Sequence, residues 1–148
     1  MKHQIADPWF LHARGATIVI PSNGILHDRP QAILLTKHAR VAGQRYPALC
    51  RELGELIHRS GHHSYFFSES RLLTLPLANN GDSTIDLDLL TKGLKQSIRF
   101  ADSFALTTLI CPQWEISDPT YSWESVTALL AAHWDDRFTL VTEPPRNR

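Results

Sequence analysis

Cysteine is scarce: Cys50 and Cys111 are the only two in 148 residues, too few and too far apart for a disulfide framework. Long apolar runs are missing, and none approaches the roughly 20 residues needed to span a bilayer. The opening stretch Met1-Lys2-His3-Gln4-Ile5-Ala6-Asp7-Pro8 has an acid and a proline where a signal peptide would carry its apolar core. Together these absences predict a cytoplasmic protein without a membrane partner. Excess charge is missing as well. Fifteen basic residues balance fifteen acidic ones, which excludes a net field that would gather nucleic acid or anionic lipid. Lys37, His38, Arg40, Arg45, Arg51, His58 and Arg59 crowd the first third, but Glu52 and Glu55 dilute them, and a solvated helix face accounts for the cluster. His58, His62 and His63 lie close together without a His-Glu-any-any-His or paired-cysteine pattern, so no metal or other cofactor is expected. Ser68-Glu69-Ser70 lacks the glycines of a nucleophile elbow and reads as a turn. There is no internal repeat.

What is present is an ordinary globular composition, 43% apolar and 20% charged, in a chain long enough for one domain. That domain is expected over residues 1–143, with 144–148 as a flexible tail. Ala16-Thr17-Ile18-Val19-Ile20 is a β-branched run between Gly15 and Pro21 and reads as a strand buried on both faces. Ser22-Asn23-Gly24 then reads as a turn leaving its carboxyl end. A helix is expected from Pro47 to Gly61, with Leu49, Leu53, Leu56 and Ile57 on its apolar side. Tyr65-Phe66-Phe67 and Leu72-Leu73-Thr74-Leu75 read as short strands. Ser83 and Asp86 resemble a helix cap ahead of Leu87, Leu90, Leu94, Ile98 and Ala101. Ala105–Ile110 reads as a buried strand, Ser122 as the cap of a last helix, and Phe138–Val141 as a closing strand. Strands alternating with helices predict an α/β domain of three layers, with ligands at the strands' carboxyl ends.

Several ordered segments resemble a macrodomain of the short bacterial and phage type related to ADP-ribosyl glycohydrolases. Such domains carry an Asp and a Trp near the start, here Asp7-Pro8-Trp9, and a strand ending in Pro-Thr-Asn-Gly, here Pro21-Ser22-Asn23-Gly24. An Arg-Phe-Pro-Gly-Leu stretch leading to Leu-Gly is matched by Arg45-Tyr46-Pro47-Ala48-Leu49 and then Leu53-Gly54. Near the end, Trp123 opens a helix and Asp135-Asp136-Arg137-Phe138 enters a strand. The resemblance implies a three-layer α/β/α fold with a central mixed sheet and a nucleotide cleft.

The departures are ordered too. The family's Met-Gly-any-Gly loop, which wraps ribose and phosphates, falls on Leu34-Leu35-Thr36-Lys37, so both glycines are replaced. A phosphate loop needs glycine so that successive N–H groups converge on the anion and the backbone approaches it closely. The second, glycine-rich loop falls on Gln113–Ser122, where no glycine survives. Glu115 and Asp118 place negative charge where a diphosphate would lie, at a cost of several kcal/mol as an order of magnitude if left uncompensated. The family's reactive Lys and Asp fall on Ala78 and Ser122, which cannot replace them.

The resemblance matches Asp7 to an acceptor for the adenine amino group and Asn23 to a polar group at the ribose end; read without it, both are turn-formers. Trp114 would fill the vacated cleft, stack on a base or anchor a partner. Asp7, Asn23, Trp114, Glu115 and Asp118 are therefore the ligand-binding candidates, and no catalytic residue is assigned. Three uses follow. The losses favour a catalytically degenerate module for a protein partner or an assembly. The alternatives are a receptor for an adenine-containing nucleotide or ADP-ribose-like ligand through rewritten loops, and an ADP-ribosyl hydrolase with relocated groups.

Overall fold

The computed structural model describes residues 1–26, 30–79 and 84–145. Strand β1 (Lys2–Ile5) and helix α1 (Pro8–Ala13) open the chain, followed by β2 (Thr17–Leu26), β3 (Ala32–Ile33), α2 (Lys37–Arg45) and α3 (Leu49–Ser60). Then come β4 (Phe66–Phe67), β5 (Leu72–Ala78), α4 (Leu87–Ser103), β6 (Leu109–Pro112), α5 (Trp123–His133) and β7 (Phe138–Thr142). Among the described residues the strands form one mixed sheet in the order β1-β7-β6-β2-β5-β4, with β3 on β2. The first five strands of that order run parallel; β4 and β3 are antiparallel to β5 and β2.

Two cores follow from the alternation of side chains along the strands. Val19, Leu73, Leu75, Leu109, Cys111, Phe138 and Leu140 point to the layer made by α4 and α5, where Leu90, Leu94, Val126 and Leu130 meet them. Ile18, Ile20, Leu72, Ile110 and Val141 point the other way, against Trp9, Ala39, Ala42, Leu49, Leu53 and Ile57 of α1, α2 and α3. Trp134 seals the first core, stacked on Phe138 at 4.4 Å with its indole N–H donated to Ser97 Oγ at 3.0 Å. Gly54 is set by close approach: a Cβ there would lie 2.6 Å from the backbone of Pro30 and Gln31, so glycine lets the segment leading to β3 rest on α3.

Several sequence readings need correction. Ser22-Asn23-Gly24 is not a turn, because β2 runs on to Leu26 while pairing with β5 and β3, with a register irregularity at Ser22/Asn23. The expected helix at Pro47 begins at Leu49; Pro47 sits in the turn that Leu49 closes by donating to the Tyr46 carbonyl. Asp86 caps α4 by accepting from the Leu89 N–H, and Ser83 lies outside the described residues. β1 and α1 have no counterpart in the sequence reading; β1 is exposed throughout and carries no apolar alternation.

The strand expected at Ala105 starts four residues later, at Leu109, since Ala105 and Leu106 are used to end α4. Ala105 takes a left-handed conformation (φ 51°), its N–H donates to the Asp102 carbonyl, and the Leu106 N–H donates to Ala101. This is a Schellman closure with alanine where glycine is usual. A left-handed L-residue is disfavoured by roughly 1–2 kcal/mol, partly offset by glycine's larger unfolded-state entropy. Ala105→Gly is therefore expected to stabilise the protein by about 0.5–1 kcal/mol in urea unfolding, and a loss of stability would refute the strain at this position.

Candidate functional site

A small cleft opens at the carboxyl ends of β2 and β5, the end of a parallel sheet where ligands bind. Its volume is about 150 Å³, and its walls come from four places: Pro21, Ser22 and Asn23 of β2; Leu77 and Ala78 of β5; Leu35 and Thr36 ahead of α2; and Glu115, Ile116 and Ser117 after β6. Ile85 completes it. Thr36 caps α2, its hydroxyl accepting from the Ala39 N–H, and the Arg40 guanidinium donates to the Leu35 carbonyl, which ties down the approach to the helix. Leu35 thus occupies a wall that the resemblance assigns to a flexible glycine.

The amino end of α2 is already filled. The Lys37 N–H donates to both carboxylate oxygens of Glu115, at 3.1 and 3.3 Å. This is where a helix presents unpaired N–H groups and a partial positive charge, and where phosphates bind in other proteins. Glu115 also borders a second cavity of about 270 Å³, lined by His38, Trp114 and Glu143 among others. There the Lys37 ammonium lies 2.8 Å from Glu143. His38 accepts from the Trp9 indole N–H at 3.1 Å through Nδ1, and its Nε2 lies 3.1 Å from the other Glu143 oxygen. Burial holds the His38 pKa below the ordinary histidine value, against the pull of Glu143.

The remaining candidates are scattered. Asp7 is the cap of α1, its carboxylate accepting from the Trp9 N–H at 2.9 Å, and it does not line the 150 Å³ cleft. Its charge is felt instead at His38 and Glu143. Asn23 lines the cleft and accepts from the Ile25 N–H at 2.9 Å. Trp114 is only 2% exposed, packed in the α4/α5 core with its ring 5.5 Å from that of Trp123. Its indole N–H has no oxygen or nitrogen partner among the described residues and faces the weakly accepting Cys111 sulfur. Ala78 presents a methyl group to the cleft, and Ser122 caps α5 in a reciprocal pair with Ser125.

Three residues that the sequence did not bring together meet beside the cleft; Ser22 lines it, and His62 and Asn79 do not. Ser22 Oγ lies 2.8 Å from His62 Nε2, and His62 Nδ1 lies 2.7 Å from Asn79 Oδ1. His62 was legible only as one of three clustered histidines, and Asn79 carried no signal of its own. Among the described residues no group of three His, Cys, Asp or Glu is placed to hold a metal ion, and no helix is long and apolar enough to cross a membrane.

Asp118 does structural work. Its two oxygens accept from the Thr120 and Ile85 N–H groups, both at 2.9 Å, which ties the loop after β6 to the segment ahead of α4. Those two backbone bonds hold its pKa below the usual carboxylate value. A depressed carboxyl contributes stability above its unfolded pKa and loses it as pH falls through the folded one. The stability gap between wild type and Asp118→Asn is thus expected to be constant above about pH 5 and to narrow below about pH 4. A gap that does not change with pH in denaturant titrations would remove Asp118 as an ionised tie.

No protein-family profile matches the sequence, and neither does any curated protein. Similarity appears among solved structures. The chain is similar to the macrodomain of Thermus aquaticus DarG, with a TM-score of 0.66 at 13% identity over 97% of this chain and 99% of that one. It is also similar to the macrodomain of Mycobacterium tuberculosis DarG, with a TM-score of 0.68 at 14% identity over 99% of this chain and 100% of that one. Thermosipho africanus DarTG in complex with ADP-ribose aligns with a TM-score of 0.65 at 12% identity, over 92% of this chain and 40% of the longer protein. The mixed sheet between two helical layers, its cleft at the carboxyl ends of β2 and β5, and these alignments agree: the chain has the macrodomain fold.

Proposed function

We propose that this macrodomain-fold protein has given up diphosphate recognition and ADP-ribosyl hydrolysis, and uses its remaining cleft for a compact ligand without a phosphate group. The observation that carries this reading is the Glu115 carboxylate on the amino end of α2. A ligand phosphate at the same N–H would meet an anion instead of an empty donor, and like charges so placed repel. Three further features support it. Leu35 and Lys37 stand where a phosphate loop needs glycine. Ala78 brings no reactive group to the cleft. The cleft, at about 150 Å³, is half the lower bound of roughly 300 Å³ for drug-sized ligand pockets. Its volume is close to that of an apolar cavity that takes one benzene-sized group.

The protein-partner reading loses its anchor, since Trp114 is core rather than surface. Near Asp7, the polar groups that would meet an adenine already have partners: His38 takes the Trp9 indole N–H and faces Glu143, which pairs with Lys37.

Calorimetric titration tests the proposal directly, with ADP-ribose, AMP and adenosine as separate ligands. ADP-ribose is expected to give no binding heat. Micromolar ADP-ribose affinity would overturn the proposal, whereas adenosine binding alone would locate a base pocket beside the blocked phosphate end. Removing the internal anion should expose the helix terminus: Glu115→Ala is expected to gain more thermal stability than wild type from added sulfate or phosphate. Equal gains in both proteins would mean that Glu115 does not guard this position.

A further inference from the structure

We propose that Ser22, His62 and Asn79 form a nucleophile–base–orienter relay that hydrolyses small, uncharged carboxylic esters in the cleft. The proposal deepens the reading above, because it takes the ligand to be compact and free of phosphate.

The geometry comes from three separate parts of the fold. Ser22 stands near the carboxyl end of β2 and lines the cleft; His62 follows α3; Asn79 follows β5. The contacts of 2.8 Å from Ser22 Oγ to His62 Nε2 and 2.7 Å from His62 Nδ1 to Asn79 Oδ1 are within hydrogen-bond reach. An amide oxygen only accepts, so His62 Nδ1 carries the proton and Nε2 turns its lone pair to the serine hydroxyl. This is the division of labour in serine and cysteine hydrolases, including those in which an asparagine orients the histidine. Burial favours the neutral imidazole that a base requires, lowering the His62 pKa against the opposing bond from Asn79. The Leu75 carbonyl is the competing acceptor for the serine proton, but at 3.2 Å it is farther than the imidazole.

Gly24 provides a second, independent observation. A Cβ on this residue would lie 2.1 Å from Asn79 Oδ1 and 2.9 Å from His62 Nδ1. Only glycine leaves room for the histidine–asparagine pair against the β2 backbone.

In the reaction, Ser22 Oγ adds to the ester carbonyl carbon as its proton passes to His62 Nε2. Thr36 and Ser117 also line the cleft, and the oxyanion is assigned to their hydroxyl groups. Collapse breaks the bond to the alcohol oxygen, and the alcohol leaves with the proton from His62. Water then adds to the acyl-serine carbonyl, giving a proton to Nε2. The second collapse returns that proton to Ser22 Oγ and releases the carboxylic acid. Ester and water become acid and alcohol, with no further reactant. Leu35, Leu77 and Ile85 present apolar walls, and the volume suits a short acyl group.

The test uses the full chain with p-nitrophenyl acetate and butyrate, and a fluorophosphonate as trap. Wild type is expected to turn over both esters with an initial burst of about one equivalent and to take one adduct, mapped to Ser22 by peptide mass spectrometry. Ser22→Ala should lose burst, turnover and adduct while keeping its circular dichroism spectrum. His62→Gln should lower kcat by about 100-fold or more. Asn79 acts through His62 as a positioning residue, so Asn79→Ala should lower kcat with KM little changed. Folded wild type with neither adduct nor turnover above buffer would overturn the relay, as would turnover unaffected in Ser22→Ala. Should Ser22→Ala misfold, the mapped adduct on wild type decides alone. Because ADP-ribose titration is read separately, a silent titration with no ester turnover sinks the relay only, whereas ADP-ribose binding sinks the phosphate-free reading itself.

Discussion

The cleft depends on one constraint above all: β2 is buried on both faces and paired on both edges, yet not along its whole length. Its register with β5 extends from Ile18 to Asn23, while its pairing with β6 stops after Thr17 and Ile18. The chain leaves β2 towards β5 on one side and later crosses to β6 on the other, so the boundary between β2 and β6 is a topological switch point. Beyond Ile18 the two strands no longer share a ladder, and the loops following them separate. Pro21, Ser22 and Asn23 line one side of the opening and Glu115, Ile116 and Ser117 the other. Ile18, Val19 and Ile20 are completely buried, which fixes which face each later residue of β2 presents.

Given that opening, the identity of the loop residues decides what enters it. A helix amino end needs an acceptor, and a mobile phosphate and a tethered carboxylate satisfy it equally well in kind. They differ in entropy. Glu115 is joined to the fold, so it pays little translational cost to reach Lys37, whereas a diffusing anion must bring enough affinity to displace it. Asp118 follows the same rule at a different place, meeting two N–H groups with one carboxylate. The acidic residues that look repulsive in the sequence are thus compensated in the fold by backbone donors.

The layered α/β fold was legible because the core strands are short, β-branched or leucine-rich, and separated by helices with clear apolar stripes. Leu90, Leu94 and Ala101 lie on the buried face that their spacing predicts, as do Val126 and Leu130. β1 was illegible for the opposite reason: it is exposed, polar and held by pairing with β7, a long-range contact that local pattern does not encode. The resemblance sets Trp114 in a ligand loop, because it aligns Gln113–Ser122 with the family's glycine-rich segment. The burial of Trp114 depends on Trp123 and the α4/α5 layer, which only tertiary packing reveals. Asp7 is an example of a motif residue whose local duty, capping α1, accounts for its contacts.

Pro21-Ser22-Asn23-Gly24 shows most clearly why a motif can be recognised for a reason that the structure replaces. Glycine after asparagine is a strong turn signal, since both tolerate left-handed backbone. Yet Gly24 is absent from the positive-φ residues of this chain and lies inside β2. What the position lacks is room: the missing Cβ leaves the space in which the Asn79 oxygen meets His62. A residue chosen for volume rather than dihedral angle leaves the same letter in the sequence, and only the neighbours across the sheet separate the two causes. The same glycine that closes the resemblance to a nucleotide-binding strand therefore marks, in three dimensions, the place where a hydrogen-bonded histidine is brought against a cleft-lining serine.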